Sequence, residues 1–183
     1  MSTLRVDNLN ARTGTKITVP TGTKFYVPGG VVQVQQTVKT DTWSTSSTSY
    51  ADVTGMSVAI TPTSTSSKIL VILDVSVGAN PSSGIIGRLM RDSTAIYIGD
   101  TASNRPRGLL YFDGSNHSQY VNERVPATYL DSPASTSTLT YKLQAYSTVG
   151  GTSQYINRSA YDYDGTLYNL RAASSITVME IGV

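Results

Sequence analysis

From Val31 onward apolar and polar residues alternate with a period of two, the pattern of strands that bury one face. Val32, Val34 and Val38 share one face of a first strand, with Gln33, Gln35 and Thr37 on the other. Met56, Val58 and Ile60 alternate with Ser57, Ala59 and Thr61, and Pro62 ends that strand. Ile69, Val71, Leu73, Val75 and Val77 form an unbroken inward face. Leu70 and Ile72 lie opposite, on a face that turns polar at Asp74 and Ser76. A strand apolar on both faces near its start needs cover on both, and a subunit interface would supply the second. Further strands are predicted over residues 85–90 and 95–98, split by Arg91-Asp92-Ser93-Thr94, then over 109–112 and 119–130. The clearest alternation sets Leu139, Tyr141, Leu143 and Ala145 against Thr138, Thr140, Lys142 and Gln144. In residues 175–181, Ile176 and Val178 share a face with Glu180 while Thr177, Met179 and Ile181 share the other, so the pattern leaves the buried face open. No stretch keeps a period of 3.6, so helix content should be near zero. Roughly seven to ten antiparallel strands predict an all-β fold, a two-sheet β-sandwich of jelly-roll form.

Residues 1–30 read differently. Leu4, Val6 and Leu9 alternate loosely with polar residues, and Gly14, Pro20, Gly22, Pro28, Gly29 and Gly30 then break the chain every few residues. Two similar fragments, Thr15-Lys16-Ile17-Thr18-Val19-Pro20 and Thr23-Lys24-Phe25-Tyr26-Val27-Pro28, read as short extended segments each closed by proline. Such a segment cannot build a core alone. The chain therefore divides into an extended arm, 1–30, and a sandwich domain, 31–183. The apolar arm residues Leu4, Val6, Leu9, Ile17, Val19, Phe25, Tyr26 and Val27 are expected either to pack on the sandwich domain or, the preferred reading, to intertwine with copies of the arm.

Composition narrows the function. Charged residues are 14% of the 183, and Ser and Thr take their place. Disorder combines low hydrophobicity with high net charge; here the formal charge is +2 and the apolar fraction ordinary. The polar residues are read as solvent faces of strands and their turns, a role that β-branched Thr suits. Lys and Arg are scattered, with no run to track a phosphate backbone, so no nucleic-acid partner is expected. The N-terminus lacks the apolar stretch of a signal peptide, and the most hydrophobic run, 69–77, is interrupted by Asp74 and Ser76, so no membrane partner is expected. The chain has no cysteine, which excludes disulfides and thiolate chemistry.

Candidate chemistry is sparse. His117, the single histidine, sits in the loop-like Asp113-Gly114-Ser115-Asn116-His117-Ser118, with no sharp serine-bearing turn of the nucleophile-elbow kind. Asp162-Tyr163-Asp164-Gly165 places two acids before a glycine turn, but the further oxygen ligands of a calcium loop are missing. No catalytic residue, metal site or cofactor is expected, and the chain reads as non-enzymatic. Tyr155, Tyr161, Tyr163 and Tyr168 fall close together with Arg158 among them. A tyrosine offers a flat apolar face and a polar tip, suited to a receptor or glycan contact, or to packing at sheet edges and between subunits. Asn116-His117-Ser118 and Asn157-Arg158-Ser159 match the glycosylation pattern, read as coincidental without a secretory signal.

Several fragments together carry a family resemblance. They are the opening Ser2-Thr3-Leu4-Arg5-Val6-Asp7-Asn8-Leu9 with Ile17-Thr18-Val19-Pro20, then Ser49-Tyr50-Ala51-Asp52-Val53-Thr54-Gly55-Met56 leading to Ser67-Lys68-Ile69-Leu70-Val71. Later come Tyr129-Leu130-Asp131-Ser132-Pro133, Thr140-Tyr141-Lys142-Leu143-Gln144 and the terminal Ser175-Ile176-Thr177-Val178-Met179-Glu180-Ile181. In this order they resemble virion structural proteins of marine tailed phages, cyanophages above all, of the short tail fibre and capsid decoration kind. The resemblance implies a homotrimer with a tumour-necrosis-factor-like jelly roll, made in the host cytoplasm and carried on the exterior of the capsid or tail. It implies an N-terminal arm docked on other virion proteins and a trimer interface that buries Leu70 and Ile72. A fibre tip would also bring a host surface glycan as partner. A typical fibre carries a long shaft that this chain lacks, so a capsid decoration or cement protein, or a short fibre, fits the length better.

Overall fold

The computed structural model describes residues 27–183 apart from Asn116 and Thr166. The arm residues Leu4, Val6, Leu9, Ile17, Val19, Phe25 and Tyr26 lie outside the described residues. All regular structure among the described residues is strand: β1 (Val31–Lys39), β2 (Trp43–Thr45), β3 (Ala51–Ile60), β4 (Lys68–Ala79), β5 (Gly84–Arg91), β6 (Thr94–Ile96), β7 (Leu110–Asp113), β8 (Glu123–Asp131), β9 (Leu139–Ser147), β10 (Gln154–Ile156) and β11 (Ser174–Ile181). Every pairing between these strands is antiparallel.

Two sheets pack face to face as a β-sandwich. In the first, β4 pairs β8 along one edge and β11 followed by β10 along the other; β1 and β2 continue outward on β11 and β10. In the second, β9 lies between β3 and β5, and the far edge of β5 takes β7 and then β6. The core forms where the alternating faces meet. Ile69, Val71, Leu73, Val75 and Val77 of β4 face Leu139, Tyr141, Leu143 and Ala145 of β9, with Met56, Val58, Ile60, Ile85, Leu89, Ile176 and Val178 filling the layer.

Three sequence expectations are corrected by the packing. The strand predicted over 119–130 begins only at Glu123, because residues 119–122 are held in the preceding loop. Trp43–Thr45 and Gln154–Ile156 are strands that no alternation announced; three residues are too few to show a period, and they exist because they pair with each other and with the end of β4. Val34 and Val38 of β1 point outward and are exposed, while Gln33 turns to the Glu180 carboxylate. The open phase of the last strand is settled in the same way: Ile176 and Val178 are fully buried, and Glu180 is buried with them.

Outside the first sheet the apolar face of β4 is continued across the whole layer. The register aligns Val34 of β1, Met179 of β11, Leu70 of β4 and Leu130 of β8 in one row. Ile72 stands in the next row, between Thr177 and Thr128. Leu70 and Ile72 are half-buried, while Val34 is 49% and Leu130 46% exposed.

Candidate recognition site

β10 and β11 run in the same direction along one edge of β4, and residues 157–173 leave the sheet between them. The exit point is Asn157, fully buried and at φ 66, a left-handed conformation that asparagine tolerates better than most residues. Its Nδ2 donates to the carbonyls of Lys39 (2.8 Å) and Asp41 (2.9 Å), and its Oδ1 accepts from Ser174 Oγ at the start of β11. Its backbone N–H donates to Ser76 and its carbonyl accepts from Ala172. One side chain thus ties the β1–β2 link to both ends of the excursion. With both ends of its amide engaged, it is also closed to glycosylation. Gly78 of β4 lets the chain pass here: a methyl group at that position would overlap the Arg158 carbonyl.

The excursion is closed by charge and tied to its neighbour by hydrogen bonds. Arg158 Nη1 and Arg171 Nη2 both donate to Asp162 Oδ2, at 2.7 and 2.6 Å, and the backbones of Arg158 and Arg171 form a bridge. Ser159 Oγ donates to the Tyr161 carbonyl and Asn169 Nδ2 to the Tyr163 carbonyl. Three bonds stitch it to the segment between β7 and β8 and the start of β8: Tyr161 N–H to the Gln119 carbonyl, Asn122 Nδ2 to the Leu170 carbonyl, and Arg124 Nη1 to the Ala173 carbonyl. Gly165, at φ 103, makes the turn at the tip.

This frame gathers aromatic rings. Tyr120, from the β7–β8 segment, meets Tyr161 edge-to-face at 5.2 Å and lies 6.4 Å from Tyr168; Tyr161 and Tyr163 are 6.0 Å apart. Tyr163 and Tyr168 are 58% and 75% exposed. Of the residues singled out in the sequence, Tyr161, Tyr163 and Tyr168 come together. Tyr155 does not: it lies on β10, with the Arg158 guanidinium 3.9 Å above its ring. Arg158 therefore serves the base of the excursion, between Tyr155 and Asp162, rather than its tip. Tyr120 escapes a reading of the sequence, because it joins from about forty residues upstream and nothing local marks it.

The remaining candidates take ordinary places. His117 is exposed in a loop, its ring 5.0 Å from that of Phe112. Asp162 is occupied by two guanidiniums, and among the described residues no group of three or more His, Cys, Asp or Glu is placed to hold a metal ion. Val27, the one candidate attachment residue within the described range, is exposed, and its carbonyl accepts from Gly30 N–H across the Pro28-Gly29 turn. Two surface hollows lie on the second sheet. One, of about 550 Å³, is lined by Ile86, Pro106, Leu109 and Tyr111; the other, of about 410 Å³, is lined by Asp52, Ser57, Thr140 and Lys142. Compared with known protein families and with curated proteins, the chain matches none.

Proposed function

We propose that this chain is a non-enzymatic structural protein of a tailed-phage particle. It works as a homotrimer on the exterior of the virion, as a capsid decoration or cement protein or as a short fibre, held to other virion proteins by its N-terminal arm. The observation that carries the reading is the apolar row Val34–Met179–Leu70–Leu130 on the outer face of the first sheet. A sheet face that meets only water favours polar residues at such positions, whereas a subunit contact favours an apolar centre with polar neighbours. Thr128, Thr177 and Gln36 supply the polar neighbours one row away. The strand order supports the jelly-roll form. With β1 and β2, β6 and β7, and β10 and β11 each taken as one rank, every sheet has four ranks and the chain crosses repeatedly between the sheets.

Two experiments test this. Sedimentation equilibrium of the full chain should return a trimer mass, and the Leu70→Asp/Leu130→Asp variant should sediment as a folded monomer with an unchanged β-sheet circular dichroism spectrum; a wild-type monomer at micromolar concentration sinks the oligomer. Deleting residues 1–26 should leave a trimer that no longer enters particles during infection. Continued incorporation would rule the arm out as the anchor.

A further inference from the structure

We propose that Tyr161, Tyr163 and Tyr168 of the excursion, together with Tyr120 of the β7–β8 segment, form a saccharide-binding platform outside the core of the sandwich. The ligand class is a run of uncharged or weakly charged sugar rings. This inference does not rest on the virion assignment; it rests on ring geometry, charge and support.

Four phenol rings form a contiguous set, and the two outermost, Tyr163 and Tyr168, turn large areas to solvent. A sugar ring presents C–H groups on its faces and hydroxyls around its rim. Tyrosine matches both, with an apolar face and a hydroxyl that donates and accepts. The charges of the excursion balance: Arg158 and Arg171 against Asp162 and Asp164. Asp162 is bound by both guanidiniums, so no strong field selects a charged ligand. A phosphate-rich ligand would meet no free cationic cluster here, and a bare hydrocarbon would strand the phenol hydroxyls.

The support is what a weak ligand requires. Tyrosine orders few rotatable bonds on binding, and the backbone beneath is held by the Asn157 lock, the Asp162 clamp and the three bonds to residues 119–124, so little freedom remains to be lost. The buried core lies in the sandwich, and the described residues of 158–173 contribute none of its apolar members. Side chains at the tip can therefore change without loss of the fold. Several copies side by side would raise the avidity of a single weak site.

The test uses the full-length protein on a printed array of neutral and acidic oligosaccharides. Wild type should be retained on neutral sugars. Tyr163→Ala/Tyr168→Ala should lose about tenfold or more in apparent affinity at unchanged mass and melting temperature. Tyr111→Ala, which removes an equally exposed ring on the second sheet, should bind as wild type. Three results overturn the proposal: no retention of wild type on any sugar, retention that survives the double substitution, or equal loss in Tyr111→Ala. Because binding and mass are read separately, a monomeric protein that still binds sugar refutes the oligomer and leaves the platform standing.

Discussion

Replacing Glu180 by leucine is expected to cost about 3 kcal/mol or more, the scale of losing several hydrogen bonds to one buried charged group. Glu180 is fully buried on the inner face of β11, beside Ile69 in the pairing of β11 with β4. Its Oε1 accepts from Thr63 N–H (2.7 Å), Thr63 Oγ1 (2.6 Å) and Ser67 Oγ (2.7 Å), and its Oε2 from Gln33 Nε2 (2.6 Å). The carboxylate thus closes the end of the sandwich by joining β1, the β3–β4 connection and β11. Leucine would leave the buried Ser67 hydroxyl and the Thr63 N–H without an acceptor. Glu180→Gln should cost less, because its carbonyl can take the Oε1 bonds; its amide then meets the Gln33 amide donor, and one of the two must turn. Urea denaturation of the two variants against wild type measures both costs.

The same site predicts acid lability. Burial by itself raises the pKa of Glu180, but the hydrogen bonds from Thr63, Gln33 and Ser67 outweigh it and lower the value from 4.5 to about 2. The unfolded chain therefore binds a proton at higher pH than the folded one. The stabilisation is fully present above about pH 5 and is lost as pH falls from there toward 2. Urea midpoints at pH 7, 4.5 and 3 should fall steeply for wild type and less for Glu180→Gln. Equal slopes for the two would show that the carboxylates Asp41, Asp52 and Asp113, whose pKa values are also lowered, carry the acid sensitivity instead.

Asn157→Ala is the second large effect, expected at about 2–4 kcal/mol. It removes the donors to the Lys39 and Asp41 carbonyls and the acceptor of Ser174 Oγ in one step. Asn157→Gly should be better tolerated than alanine by about 1 kcal/mol, since glycine adopts φ 66 without the Cβ clash. Asn157→Asp should be the worst of the three, because a carboxylate oxygen would face two carbonyl oxygens. Urea denaturation ranks the set, and amide hydrogen exchange should show residues 158–172 opening more readily in every variant. An alanine variant as stable as wild type would mean that the Asp162 clamp and the bonds to residues 119–124 hold the excursion without Asn157.

Particular elements show how far a reading from the chain reaches. The inward runs of β4 and β9 were legible because each has a continuous period of two against a sheet face. The outward apolar pair Leu70 and Ile72 was legible for the same reason, as an excess on the wrong face. Its continuation to Val34, Met179 and Leu130 was not, since those residues come from opposite ends of the domain and only register aligns them. Tyr161, Tyr163 and Tyr168 could be grouped by proximity in the chain, whereas the place of Tyr155 on β10, beneath the Arg158 guanidinium, follows only from strand pairing.

The amino-acid sequence by itself determined the class of fold, the inner faces of its longest strands and the lack of thiol chemistry, because periodicity and composition are local properties that each segment carries whatever its partners. The tertiary structure alone decided which face of β11 is buried, why an acid sits there, where the valines of β1 point and which tyrosines meet. Each of these depends on hydrogen-bond partners and neighbours brought from distant parts of the chain. Glu180 looks like a surface residue until Thr63, Ser67 and Gln33 surround it, and Asn157 looks like a loop asparagine until both ends of its amide are occupied.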